Sequence, residues 1–76
     1  MTKWEYQVVR TYGGVMMMIN GQEVGKIVSN QPVGELLFEY LNKVGLEGWE
    51  VAGLAETRGG IELVLKRALV DDKPEA

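Results

Sequence analysis

The feature that most constrains this chain is the stretch Pro32 to Leu54, where the spacing of apolar residues changes from helical to alternating. Val33, Leu36, Leu37, Tyr40, Leu41 and Val44 recur at i, i+3, i+4, i+7, i+8 and i+11, which places them on one stripe of an α-helix. Gly45-Leu46-Glu47-Gly48 then makes a stop and a turn, and Trp49 to Ala55 takes up a two-residue period. An amphipathic helix that passes at once into a strand has to lay its stripe on a sheet. The other segments are therefore read as strands facing it.

At 76 residues there is room for one domain, assigned to 1–67, with a mobile charged tail over 68–76. A chain this short buries only about 60 % of its unfolded surface. Folds of this size lean on disulfides, metals or self-association. Cys and His are both absent, which removes a disulfide framework, the commonest metal ligands and the usual general base. Self-association is the aid that remains. The net charge is −3 with the acids dispersed, so no nucleic-acid partner is expected, because phosphate binding needs clustered Lys and Arg. No apolar run approaches the roughly 18 residues of a membrane span. The start, Met1-Thr2-Lys3-Trp4-Glu5, lacks a signal peptide's apolar core. No membrane partner and a cytoplasmic location are expected.

Lys3 to Tyr12 alternates as a half-buried strand, with Trp4, Tyr6 and Val8 assigned to the helix side and Lys3, Glu5, Gln7 and Val9 to the other. Gly13-Gly14 allows a tight turn into Val15–Ile19. Asn20-Gly21 signals a type I′ hairpin back along Gln22–Val28, with Gly25 as a candidate bulge. Pro32 suits the first helical turn, with Asn30 or Gln31 as its cap. Gly34 is read as a weakness in that turn, Glu39–Lys43 as a helix ion pair, and Gly45 as the left-handed stop against which Leu46 packs back. Trp49 and Val51 face one way, with Glu50, Ala52 and Leu54 opposite. A turn over 56–60 leads to a last strand over 61–67, with Ile61, Leu63 and Leu65 inward. The fold class expected is α+β: two layers, one helix on a mostly antiparallel sheet, β-β-β-α-β-β with a β-α-β-β core. Numbering the five expected strands in order, the sheet reads 3-2-1-5-4.

Trp4-Glu5-Tyr6-Gln7-Val8-Val9, then Leu41-Asn42-Lys43-Val44-Gly45-Leu46-Glu47-Gly48-Trp49-Glu50-Val51, then Lys66-Arg67 resemble the WEYxVV, LNxxGxEGWExV and closing KR segments of a small bacterial and phage family. That family is a domain of unknown function. The resemblance implies a β-α-β-β core and supplies no activity. It covers most of the chain outside Tyr12–Gln31, and Leu65 stands where an aromatic residue often precedes the Lys-Arg pair. Each segment also has a plain structural reading. Trp4 and Tyr6 serve as packing, Gly45 and Gly48 as turn residues, Trp49 as the wet end of the core, and Glu47 and Glu50 as solvated charges.

One helix covers one sheet face, and the far face should then be polar. Yet Val9, Ala52, Leu54 and Val64 fall in the outward register, Met16, Met17 and Met18 load both sides of their strand, and Phe38 lies off the helix stripe. Scattered apolar residues are ordinary on any surface, but a surplus on three elements points to an interaction face. Phe38, Met16, Met17, Met18, Val9, Leu54 and Val64 are the expected interface of a homodimer or higher oligomer.

Catalytic machinery is not expected. The only Ser is Ser29, with no His to activate it. Glu35 and Glu39 read as solvated, and neither Gly13-Gly14 nor Gly59-Gly60 leads into a helix as a phosphate cradle would. The expected function is a small non-enzymatic homo-oligomeric binding or adaptor protein, without cofactor or metal, whose partner is its own copies or another protein. The alternative is a small-molecule carrier: the β-α-β-β order is similar to that of dodecin, a flavin-storing assembly, and Trp49 would be the stacking residue by position. A third reading has Tyr12, Arg10 and Arg58 holding an anion between subunits.

Overall fold

The two longest strands, β1 (Lys3–Tyr12) and β7 (Gly60–Leu69), run antiparallel side by side and carry the rest of the chain. A computed structural model describes residues 2–69. Between those strands come β2 (Val15–Ile19), β3 (Gln22–Glu23), β4 (Lys26–Val28), β5 (Gln31–Val33), α1 (Leu37–Gly45) and β6 (Glu50–Thr57). Strands pair antiparallel in the order β3-β2-β1-β7-β6, and β4-β5 form a separate two-stranded ribbon. The molecule is thus mostly sheet, with one helix. The order of the main sheet is the one read from the sequence. The ribbon was not anticipated.

Turn chemistry sets much of this. Asn20 and Gly21 both take positive φ, 52° and 83°, as a type I′ hairpin requires. The strand expected over Gln22–Val28 instead breaks after Glu23, and Lys26–Val28 turns away to pair with Gln31–Val33. Gly25 and Gly34 explain the break. A Cβ on Gly25 would overlap the Met16 carbonyl, and one on Gly34 would sit 3.1 Å from the same oxygen. Two backbones cross β2 here, at a distance that only glycine permits at Gly25 and that leaves little room for a side chain at Gly34. Pro32 lies in β5 opposite Ile27 rather than at a helix start, which a free-edged ribbon tolerates.

The helix consequently begins at Leu37, five residues after Pro32, where its first turn was expected. Asn30 does not cap it; the Leu37 N–H donates to the Gly14 carbonyl at 2.8 Å, and the Met16 N–H donates to Glu35 O at 2.7 Å. The backbone of the β1–β2 turn satisfies the first helical donor, so no side-chain cap is used. At the far end the left-handed residue is Gly48, φ 94°, rather than Gly45. Leu46 is 91 % exposed and packs on nothing. Lys43 pairs with Glu35 at 3.1 Å instead of with Glu39.

Beneath α1 the core is Val9, Met16, Leu63 and Leu65 against Tyr40 and Val44, flanked by Leu37, Leu41, Trp49, Ile19 and Ile61. The inward residues of β7 are those expected. The faces of β1 are reversed: Gln7, Val9 and Thr11 are buried, while Trp4, Tyr6 and Val8 lie outside. The inward polar groups are each partnered, which is why the reversal is tolerated. The Tyr40 hydroxyl donates to Gln7 Oε1. Arg67 Nε donates to Glu5 Oε1 at 2.7 Å. Thr11 Oγ1 donates to Ile61 O at 3.1 Å and accepts from the Ile61 N–H at 3.2 Å. Strand β7 also runs to Leu69, past the boundary expected at 67, and the remainder of the expected tail lies outside the described residues.

Candidate functional site

Directly opposed residues of an antiparallel pair share a face, so the register locates the uncovered side of the sheet. Trp4 stands opposite Ala68, Tyr6 opposite Lys66, Val8 opposite Val64 and Arg10 opposite Glu62. Arg10 also faces Met18, and Lys66 faces Glu50. An apolar row, Trp4-Tyr6-Val8 with Val64 beside it, therefore runs along the central strands with no helix or strand over it; Tyr6 is 58 % exposed. Charges border the row in opposite-sign pairs. Arg10 Nη2 lies 2.9 Å from Glu62, Lys66 Nζ lies 3.7 Å from Glu50, and Lys66 also sits 4.4 Å over the Trp4 ring.

The residues expected at an interface divide. Val9 and Met16 are corrected: at 0 % and 1 % exposure they belong to the chain's own core. Met17 and Met18 are half-buried, where a bulge between Arg10 and Thr11 leaves Met17 without a Cα partner on β1. Val64 does face outward, as expected, beside Val8. Leu54 changes face. A bulge between Val51 and Gly53 moves it opposite Leu63 on the helix side, yet it stays 64 % exposed at the sheet edge. Phe38 is exposed on α1, away from the buried stripe of Tyr40 and Val44. Trp4, Tyr6 and Val8 are the surface residues that sequence reasoning missed. Alternation alone does not say which face is covered, and the Glu5–Arg67 opposition that lets a carboxylate lie on the core face is visible only in the strand register.

Trp49 is half-buried against the core, and one side of its ring is occupied. The Arg67 guanidinium lies 4.6 Å from the ring centroid, held by Glu5 and by the Glu47 carbonyl at 3.2 Å. A flavin stacked there would have to displace that arginine. Arg10, Tyr12 and Arg58, the trio expected to hold an anion, do come together, and within one chain. They line a cleft of about 760 Å³ at the end of the sheet, where the β6–β7 turn and the β4-β5 ribbon meet β1. Among the described residues no cluster of acidic side chains could hold a metal ion, and no helix is long and apolar enough to cross a membrane. No protein-family model matches the chain, and neither a curated protein nor a solved structure matches it.

Proposed function

We propose that this protein is a small, non-enzymatic, self-associating binding or adaptor protein of the cytoplasm. In this reading it is a two-layer α+β unit whose uncovered sheet face pairs with the same face of a second copy. One observation carries it: Trp4, Tyr6 and Val8 stand bare on a central strand while polar Glu5, Gln7 and Thr11 of the same strand face the helix. Aromatic side chains dominate the energetics of interfaces, and a contiguous exposed patch of them on a small domain marks a contact surface. The resemblance of the three sequence segments to a small bacterial and phage family is part of the same proposal and adds no activity to it.

The occupant is argued from charge and area. Arg10 and Lys66 are matched by Glu50 and Glu62 on this face, so a two-fold copy presents unlike charges as readily as like ones. An acidic or basic partner would find no such balance. Five strands of unequal length, at about 3.3 Å per residue and about 4.8 Å apart, give a projected face of roughly 550 Å², approaching the ~800 Å² per partner of a standard interface once side-chain relief is added. Sheets stack face to face about 10 Å apart, so the two copies would share a second core made from outer-face side chains. The test is sedimentation of the wild type beside Tyr6→Asp. The reading expects an assembly that the substitution dissociates without unfolding the chain. A wild type that stays monomeric when concentrated removes it.

A further inference from the structure

We infer that the cleft at the hairpin end of the sheet binds a small organic anion, a phosphate ester or carboxylate carrying an apolar body. All of its lining comes from one chain, so the site does not need a second copy, although Arg10 also borders the outer sheet face. Arg10, Arg58, Tyr12 and Asn30 supply the polar wall, and Met17 and Ile27 the apolar one. No carboxylate lines it, although the chain as a whole carries a net charge of −3. Among the described residues Arg67, Lys43 and Lys66 are each ion-paired elsewhere, while Arg58, like Lys3 and Lys26, is in no ion pair. Arg10 gives Nη2 to Glu62 and keeps further N–H donors. A guanidinium forks onto phosphate or carboxylate oxygens, which makes paired arginines the natural clamp for such a group.

The clamp is built on a fixed base. The Gly13 N–H donates to Gly59 O at 3.0 Å, and Thr11 is double-bonded by hydrogen bonds to the Ile61 backbone. Gly59 takes φ 85°, and a Cβ there would overlap the Tyr12 ring. The β6–β7 turn therefore lies flush on that ring, holding Arg58 beside the Tyr12 phenol. The β4-β5 ribbon forms the opposite wall. It contributes no buried residue to the core, so its packing does not account for its presence, whereas Ile27 and Asn30 on it line the cleft. The volume lies within the few hundred to 1,000 Å³ typical of small-molecule sites, and thioether and branched aliphatic groups on one wall suit a carbon skeleton.

The experiment is an amide-resolved NMR titration with phenyl phosphate, beside phenol and inorganic phosphate, on wild type, Arg58→Gln, Ile27→Asp and Tyr6→Asp. Saturable shifts at Tyr12, Asn30, Thr57 and Arg58 are expected with phenyl phosphate, and weaker binding with either half-probe. Arg58→Gln is expected to weaken binding roughly ten- to hundredfold, with an unchanged unfolding midpoint because the residue is an exposed turn. Ile27→Asp, which places a carboxylate opposite the clamp, is expected to abolish it, and Tyr6→Asp to leave it intact. The inference is overturned by no saturable shift up to about 10 mM. Phenol binding as tightly as phenyl phosphate, or Arg58→Gln binding like wild type, overturns it too. Loss of binding in Tyr6→Asp would overturn the single-chain site.

Discussion

On the helix side, the buried and half-buried polar side chains of the central strand each have a partner: Glu5 meets Arg67, Gln7 meets Tyr40, and Thr11 meets the Ile61 backbone. On the opposite face of the same strand, Trp4, Tyr6 and Val8 meet water, apart from the Lys66 ammonium over Trp4. Polarity thus runs against the usual sorting along β1. The contrast teaches that partnering rather than residue polarity decides which side of this strand is interior. A paired carboxylate or amide is tolerated inside, whereas an unpaired aromatic row outside leaves apolar surface to be removed by something else.

Matched truncations on the two faces are the hardest blow the contrast can receive. Leu65→Ala, deep under the helix, is expected to cost about 2–5 kcal/mol in urea unfolding. Tyr6→Ala, read at concentrations where the chain is monomeric, should stay within about 0.5 kcal/mol of wild type. Equal losses would mean the faces are not different in kind. Next in size is the inner amide–phenol pair. Gln7→Leu strips the Tyr40 hydroxyl of its acceptor and should cost about 1–3 kcal/mol, most of it recovered by adding Tyr40→Phe. A double-mutant cycle reads that coupling, and additive losses would show that the pair does not act as one.

Arg67→Lys comes after these. It keeps the charge but loses the fork on Glu5 and the fit over Trp49, at a cost of roughly 1–2 kcal/mol given the partial exposure of both charges. An accompanying change in Trp49 fluorescence would sharpen the assignment; a silent substitution would contradict it. The smallest expected effect is on pH dependence. Burial raises the Tyr40 hydroxyl above its ordinary pKa of 10, so the folded chain holds that proton where the unfolded chain releases it. The contribution is fully present below about pH 10 and is lost as pH rises through the folded value. Urea midpoints across the alkaline range should fall less steeply in Tyr40→Phe than in wild type.

The elements whose turns contain Gly were legible in the sequence. Gly13-Gly14, Asn20-Gly21 and Gly59-Gly60 place their hairpins correctly and give β3-β2-β1 and β6-β7, while the pairing of first strand with last joins the two. The β4-β5 turn was not legible, because Ser29 and Asn30 take positive φ without glycine and Pro32 beside them mimics a helix start. The apolar stripe was continuous through Val33 and Leu36, but spacing cannot show that a backbone crossing at Gly25 and Gly34 delays the helix. Alternation names two faces and does not say which is covered, so β1 was turned over. A bulge in β6 then moved Leu54 off its expected side, and one in β2 left Met17 without a partner on β1. Of the candidate sites, Arg10, Tyr12 and Arg58 were named from the sequence as one anion-holding set. Only the folded turns show that the set closes within one chain.

Sedimentation equilibrium of the wild type over a range of concentrations around 10 µM tests the central claim, that the outer face is a contact surface between copies. The expected result is a mass of at least twice the 8.5 kDa chain, falling to that of one chain in Tyr6→Asp while Leu65→Ala lowers stability but leaves the folded fraction associated. A single-chain mass for wild type throughout, or association undisturbed by Tyr6→Asp, would contradict it.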